Sequence, residues 1–332
     1  MYPVGSSGRW SLNHVTHSRV RGSVLDIPAA VPGSGSILVA LHPVAIIPGR
    51  APALDGPLVP TPLPVTSPPP PSIDLPTDLP ALRRMTAAQW RTVLDAPAPQ
   101  ALAWLTTAAR EGHAGAQALL GQWLLDGRGT AGSEPRPRDA FAWFLKAAQQ
   151  GDAMGMNMAG RCYENAWGVA RDLGAAIRWY RRAADKDLDA GLYNLANQLA
   201  SGEGLPRDDA RALALYERAA RRGHAKSATK AGRHHEEGRG TAPDAEAAFE
   251  RYRQGAEGGD FRGQYHLARL LAGRGRVDEA LRWLRRVPAT ATPGFLDEVG
   301  RLLSDSPDAR FRAIGDEMSK RIATSQDGTT IG

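Results

Sequence analysis

A short phrase recurs along this chain of 332 residues at a fixed interval of 36 residues. In each copy an aromatic residue is followed three and four residues later by two small residues. The copies lie at 143–148, 179–184, 215–220 and 251–256. A supersecondary unit repeated at a period of about 20–50 residues is typical of a solenoid, in which each repeat packs on its neighbours. The period therefore constrains the fold far more than it constrains the chemistry.

Each repeat is predicted to contain two helices, because its recurring positions are spaced by three or four residues and share one helical face. The first helix has a small residue at one position, which lets another helix approach closely: Gly121, Gly160, Ala196, Gly232 and Ala268. The second helix has an alanine at one position: Ala140, Ala176, Ala212, Ala248 and Ala280. Four residues later it has a bulky side chain: Phe144, Tyr180, Tyr216, Tyr252 and Leu284. We therefore expect an all-α fold, a right-handed α/α superhelical solenoid.

The helix boundaries are indicated by capping residues. A glycine-containing joint separates the two helices of each pair, and Asp172, Asp208 and Asp244 stand where they can cap the second helix. Thr86, with a glutamine three residues later, has the form of a capping box. Thr292 and Ser306 each precede a proline, as is common where a helix begins.

These signals predict a solenoid over residues 85–323. It would contain a leading half-repeat at 86–111, then repeats at about 112–150, 151–186, 187–222, 223–258 and 259–288, and C-terminal capping helices within 292–323. Residues 324–332 are expected to form a frayed tail.

Residues 1–84 differ from the rest in composition, since 16 of the 25 prolines fall in residues 1–80. Such a segment is predicted to be disordered, with stretches of polyproline II conformation. Three interpretations stay open: a spacer without a specific partner, a proline-rich arm that binds an aromatic groove, or a region that is not translated because synthesis starts at Met85.

Composition excludes several classes of function. The single cysteine, Cys162, excludes an intramolecular disulfide framework and any multi-cysteine metal site, and we expect it to be buried in a repeat helix. The longest apolar run, at 37–47, is too short for a bilayer span and is not a convincing signal peptide. The net charge of +6 is mild for this length. A cytoplasmic location is the expectation.

The repeat resembles the Sel1-like subfamily of tetratricopeptide repeats over roughly residues 98–288. The resemblance rests on the following residues of one unit: Ala159, Gly160, Tyr163, Gly168, Asp172, Ala176, Trp179, Tyr180, Ala183 and Ala184. It implies a non-enzymatic adaptor in protein complexes, of a kind found in bacterial signalling, envelope and host-interaction roles, with no cofactor. Some bacterial relatives are cysteine-rich proteins with β-lactam binding or hydrolysis, which is an alternative function here. The single cysteine argues against it.

In a stack of helix pairs the first helices line the concave face. The position after the small residue is expected to face that groove, as is the position four residues earlier. We therefore predict partner binding by Asn157, Arg161, Tyr193, Asn197, Thr229, Arg233, Tyr265 and Arg269. Arginine and asparagine bind carboxylates and peptide backbone, so the predicted partner is an extended or acidic protein segment. The alternative is that these arginines are ordinary solvated residues.

Two other sets of residues suggest chemistry but favour a structural interpretation. Arginines on the second helices form a basic set: Arg178, Arg181, Arg182, Arg218, Arg221, Arg222, Arg285 and Arg286. A solvated convex face is favoured over nucleic-acid binding, which remains a second alternative function. His234 and His235 point about 100° apart on a helix, so a structural role is favoured over a zinc site. His113 and His224 share one repeat position, which suggests a role at the start of a helix.

Overall fold

The computed structural model describes residues 79–327, and every regular element among them is helical. The expectations for the proline-rich segment before residue 79 and for the last five residues fall outside this range. The α-helices are α1 Leu79–Arg83, α2 Ala87–Asp95, α3 Ala98–Arg110, α4 Ala114–Leu125, α5 Pro137–Gln149, α6 Ala153–Asn165, α7 Leu173–Asp185, α8 Asp189–Ser201, α9 Asp209–Arg221, α10 Ala225–Glu237, α11 Ala245–Glu257, α12 Phe261–Gly273, α13 Val277–Leu284, α14 Pro293–Ser304 and α15 Ala309–Asp327. Single 3-10 turns lie at Ala131–Ser133 and Val287–Ala289.

These helices form two compact units, which meet in sequence between Asp208 and Asp209. The first unit, residues 79–208, contains α1–α8. It opens with the predicted capping box, because the Thr86 side chain accepts from the backbone of Gln89 while the Gln89 side chain accepts from the backbone of Thr86. Behind this cap, the ring of Trp90 packs edge-on against that of Trp104, with 5.1 Å between centroids.

The second unit, residues 209–327, contains α9–α15 and ends in a core shared by α13, α14 and α15. Helix α14 begins at Pro293, as the sequence predicts. Helix α15 begins at Ala309, later than the position of Pro307 indicates. Asp308 explains the shift, because its Oδ1 accepts a hydrogen bond from the backbone nitrogen of Arg310 at 2.9 Å.

Within each repeat, the small residue of the first helix lies under the bulky side chain of the second. A methyl group added at Gly160 would lie 2.6 Å from the ring of Tyr180, and one added at Gly232 would lie 2.9 Å from the ring of Tyr252. The five alanines of the second-helix position are fully buried. The predicted packing positions are therefore confirmed, and Cys162 is buried among them.

Between successive repeats, a second small position brings each first helix onto the preceding second helix. A methyl group added at Gly155 or Gly191 would lie 2.6 Å from the β-carbon of Ala147 or Ala183, respectively. At Gly263 it would lie 2.8 Å from the backbone nitrogen of Ala256. These contacts explain why the recurring phrase ends in small residues.

First helices of neighbouring repeats also contact each other, α4 with α6 and α6 with α8 in the first unit, and α10 with α12 in the second. Helix pairs stacked in this way form an α/α solenoid, and the first helices provide its inner face.

Candidate functional site

The position after the small residue of each first helix, called the arginine position below, carries Gln122 and Arg161 in α4 and α6. Both side chains contact other residues of the first unit. Gln122 donates to Asp126 at 2.8 Å. The guanidinium of Arg161 lies 5.0 Å from the ring centroid of Trp167. Burial lowers the pKa of Arg161, and Tyr180 and the nearby carboxylates oppose this shift only in part. The Arg161 side chain therefore contributes to packing within the first unit.

In the second unit the same position carries ion pairs. The Nε atom of Arg233 lies 2.6 Å from Oε1 of Glu237, one turn along the same helix. Arg269 on α12 pairs with Glu236 on α10. Glu236 also accepts a hydrogen bond from the Tyr252 hydroxyl at 2.7 Å. A carboxylate of one repeat thus connects its own second helix to the first helix of the next repeat.

The other predicted position differs from the expectation, because three of its four residues are buried. Asn157 is 3% exposed, Thr229 6% and Tyr265 1%. Asn157 accepts a hydrogen bond from Asn194 at 2.8 Å, and the ring of Tyr265 packs edge-on against that of Phe295. Tyr193, in the same position, and Asn197, in the arginine position, are half-buried. Partner binding by the eight residues remains a prediction.

These three residues are buried because the exposed side of each helix is rotated away from them. Successive residues of a helix are about 100° apart. Relative to Arg233, residue 229 is rotated about 40° in one direction, whereas residues 226 and 230 are rotated about 20° and 60° in the other. Thr229 is buried, while Lys226, Lys230 and Arg233 are partly exposed. The exposed stripe therefore follows positions 226, 230 and 233.

This stripe is repeated one period later on α12, by Arg262, His266 and Arg269. We call the six residues the cationic surface: Lys226, Lys230, Arg233, Arg262, His266 and Arg269. Four of them, Lys226, Lys230, Arg262 and His266, were not predicted from the sequence, although the 36-residue period relates each to its counterpart. At the corresponding positions before Arg161 the first unit has methionines, Met154 and Met158.

Charge accumulates on the cationic surface. Helices α10 and α12 together carry five lysines and arginines against two glutamates. By contrast, α6 and α8 together carry one arginine, one glutamate and one aspartate. The difference between the two units is a property of these inner helices.

The electrostatics of Lys230 and His266 reflect this excess. Burial lowers the pKa of Lys230 to about 8, with further lowering by Arg233 and Arg262 and an opposing effect of Asp260. Burial lowers the pKa of His266 to about 3, and the neighbouring arginines add to the shift. Burial is thus the main cause of both shifts, and the neighbouring cations add to it.

Two cations of the surface have no carboxylate within ion-pair distance in the described part of the chain. Among residues 79–327, neither Lys230 nor Arg262 forms an ion pair. Arg262 instead lies over the rings of Phe261 and Phe295, at 5.3 and 4.9 Å from their centroids. A guanidinium stacked on a ring keeps its N–H donors directed outward in its own plane.

The histidines of α10 and of the helix starts are structural. His113 and His224 cap α4 and α10 by accepting from backbone nitrogens, which confirms the expected role at helix starts. His234 is buried against Tyr216, and His235 lies 3.0 Å from Glu217. No group of three or more potential metal ligands occurs between residues 79 and 327.

The eight arginines of the predicted basic set are exposed, as expected for a solvated face. A shallow depression of about 330 Å³ on α7 is lined by Arg178, Trp179, Arg181, Arg182 and Asp185. Trp179 packs against the core cluster of Ala148, Met156, Ala159 and Ala183, and Arg182 covers its outer side at 4.9 Å. Trp179 is thus a packing residue.

The fold and the inner helical surface define a class, the α/α helical-repeat proteins of the tetratricopeptide-like type. Within this class the Sel1 repeat family matches residues 98–113, 114–152, 153–188, 189–224 and 225–260. The chain therefore contains five Sel1 repeats between residues 98 and 260. Proteins of this family are generally protein-interaction scaffolds and typically lack catalytic activity.

Solved structures show the same fold. A Sel1 repeat protein from Oxalobacter formigenes superposes with a TM-score of 0.61 at 24% identity, over 70% of this chain and 99% of that one. The protective antigen c5321 from uropathogenic Escherichia coli strains, which displays an SLR fold, gives a TM-score of 0.53 at 25% identity, over 70% of this chain and 50% of the antigen. No curated protein sequence matches the chain.

Among the helices of residues 79–327, none combines the length and the apolar character that crossing a bilayer requires.

Proposed function

We propose that this protein is a non-enzymatic scaffold that binds an extended, acidic segment of a partner protein on the inner face of its second unit. The observation that carries the proposal is the cationic surface, where three cationic or imidazole positions recur on two adjacent first helices. Scaffolds of this architecture bind extended ligands along their inner helices. A partner with carboxylates would complement a surface on whose two helices five lysines and arginines stand against two glutamates.

An acidic protein segment fits this surface better than a nucleic acid does. Stacking of bases requires aromatic side chains exposed beside the cations. On α10 and α12 the aromatic residues Phe261 and Tyr265 instead pack toward Phe295.

The test is fluorescence anisotropy of the full chain with a labelled glutamate-rich peptide. A lysine-rich peptide of equal length and a single-stranded oligonucleotide of equal charge serve as competitors, and a fluorescent β-lactam as a further probe. We expect saturable binding of the glutamate-rich peptide alone, weakened by salt. Tighter binding of the oligonucleotide would overturn the proposal in favour of nucleic-acid recognition. Saturable binding of the β-lactam without peptide binding would overturn it in favour of the small-ligand function.

A further inference from the structure

Building on the proposed function, we infer that the cationic surface binds a phosphate monoester, carried by a phosphorylated side chain of the acidic partner segment. Lys230 and His266 would donate hydrogen bonds to its oxygens from two adjacent first helices, and Arg262 would donate from one helical turn before His266. At pH 7 such a group has a charge of about −1.5 to −2 and three acceptor oxygens.

His266 lies at the centre of the cationic surface. The 36-residue period places it level with Lys230 on α10, and α10 contacts α12. Arg262 precedes it by four residues on α12, so the two side chains are neighbours on one helical face. Burial lowers the pKa of His266, and four cations lower it further: Arg269, Arg233, Arg262 and Lys230. Four positive charges therefore act at one imidazole.

The imidazole of His266 can offer one hydrogen-bond donor to a ligand. Its ring stacks on that of Tyr252, with 4.7 Å between centroids. The Nδ1 atom is buried and has no hydrogen-bond partner in the described part of the chain. Buried N–H groups without an acceptor are rarer in proteins than unpaired acceptor atoms, so the single proton of the neutral ring belongs on Nε2. His266 is partly exposed, and its Nε2–H can donate to a ligand oxygen.

Lys230 and Arg262 are the cations that a ligand can bind without displacing a carboxylate. Arg233 and Arg269 are each paired with a glutamate of α10. Neither Lys230 nor Arg262 forms an ion pair among residues 79–327. An anion at Arg233 or Arg269 would have to separate an existing pair, whereas an anion at Lys230 or Arg262 would not.

The charge of the two helices matches a dianion better than a single carboxylate. Helices α10 and α12 carry five lysines and arginines, against Glu236, Glu237 and the α12 cap Asp260. Two positive charges are therefore in excess. One phosphate dianion neutralises this excess at a single centre and has three oxygens for donors from two helices. A carboxylate supplies one negative charge and two oxygens.

The experiment measures fluorescence anisotropy of the full chain at pH 7 with three labelled peptides of equal length. The first has one phosphoserine in a neutral sequence, the second has two adjacent glutamates and a similar charge, and the third has one unmodified serine. We expect the phosphoserine peptide to bind on the order of tenfold more tightly than the two-glutamate peptide, the equivalent of one further charge-assisted contact. The serine peptide should show no saturable binding.

Inorganic phosphate distinguishes a partner's side chain from a free phosphate. Added as a competitor, it should displace the phosphoserine peptide only with an affinity on the order of tenfold weaker, because it lacks the contacts of a polypeptide segment. Equal affinities of inorganic phosphate and the peptide would overturn the assignment to a side chain of a partner.

The double variant Lys230→Met and Arg262→Met tests the two unpaired cations. It gives the second unit the methionines that α6 has at the corresponding positions, Met158 and Met154. It should weaken binding of the phosphoserine peptide on the order of a hundredfold, since two charge-assisted contacts are lost. Lys230→Arg, which keeps the positive charge, should retain most of the affinity.

The matched control is the double variant Arg282→Gln and Arg285→Gln, which removes the same amount of charge from exposed residues of the same unit. It should leave the affinity unchanged, and an equal loss in both double variants would contradict a specific site. His266→Phe keeps a ring at Tyr252 but has no N–H, so it should weaken binding roughly two- to tenfold.

Thermal unfolding should show that each variant is folded, and the comparison of peptides on the unchanged chain does not depend on any variant. Equal binding of the phosphoserine and two-glutamate peptides would overturn the phosphate inference while leaving the proposed function intact. Failure of both peptides to bind would overturn the proposed function as well.

Discussion

The two units pack their helices in the same way but expose different inner surfaces. In the first unit, amide and carboxylate groups bond to each other across repeats, as Gln198 does with Glu164 at 2.8 Å. In the second unit, the equivalent helices together carry five lysines and arginines against two glutamates. The residues that pack the helices together and the residues that determine the charge of the inner surface therefore occupy separate positions of the 36-residue period.

The separation has a physical basis in the helix itself. The small and bulky packing positions face the neighbouring helix and tolerate little change of volume, because protein interiors are close-packed. Positions 226, 230 and 233 lie on the exposed side of α10. They can change charge without disturbing that packing. The first helices of one unit can thus carry few charges while those of the other carry mainly lysine and arginine.

The strongest test of shared packing is to place a branched side chain at the small position in each unit. Gly160→Val and Gly232→Val should each lower the free energy of unfolding by about 3 kcal/mol, because the added atoms overlap Tyr180 or Tyr252. Urea denaturation measures the loss. Gly273→Val is the matched control, since a methyl group there meets no atom within 4 Å. A large loss in only one unit would show that the two units do not share this packing.

Lowering the pH should destabilise the second unit more than the first, by less than the glycine substitutions do. The pKa of His266 is lowered from 6.5 to about 3. Between these values the unfolded chain binds more protons, so stability falls as pH falls. At pH 4.5 the loss from His266 alone is about 2–3 kcal/mol. His224, whose pKa is lowered to about 4, adds to it, because protonation removes its capping acceptor.

In the first unit, burial raises the pKa of Asp152, the cap of α6. Asp152 therefore does not lower the free energy of unfolding as the pH falls over the same interval. Hydrogen exchange at pH 7 and pH 4.5, corrected for intrinsic rates, should show that α10 and α12 lose protection before α6. His266→Leu should reduce the difference. Simultaneous loss of protection in α6 and α12 would contradict this account.

The smallest expected difference concerns the tyrosine that bonds to a carboxylate in each unit. The Tyr180 hydroxyl donates to Glu164 at 2.5 Å, and the Tyr252 hydroxyl donates to Glu236. Tyr180→Phe should cost about 1–2 kcal/mol, a typical value for a hydrogen bond to a charged group. Tyr252→Phe should cost less, because Glu236 keeps its ion pair with Arg269. Thermal unfolding of both variants checks the order, and a larger loss for Tyr252→Phe would show that the ion pair does not compensate.

The sequence predicted the parts of this structure that depend on local spacing. The Thr86 capping box, the glycine–tyrosine contacts and the capping histidines each follow from residues close together on one or two helices. Asp308 shows the limit of such reasoning, because it begins α15 where Pro307 suggested an earlier start.

The inner surface was harder to predict for two reasons. Neighbouring residues on a helix are rotated by about 100°, so a buried residue can stand next to a partly exposed one in the sequence. Thr229 was therefore predicted to face the groove, whereas Lys230 is the partly exposed residue. The ion pair of Arg269 with Glu236 joins residues from successive repeats, and a single repeat does not contain it. The periodicity located the right helices but not the angle at which they face solvent.

The tight contact at Gly263 has a consequence for the shape of the inner surface. A methyl group added there would lie 2.7 Å from Oγ1 of Thr229 on α10 and 2.8 Å from the backbone nitrogen of Ala256 on α11. The absence of a side chain at one glycine therefore lets α12 lie close to both helices of the preceding repeat. A larger residue at Gly263 would push α12 outward and reshape the inner surface without altering a single charge.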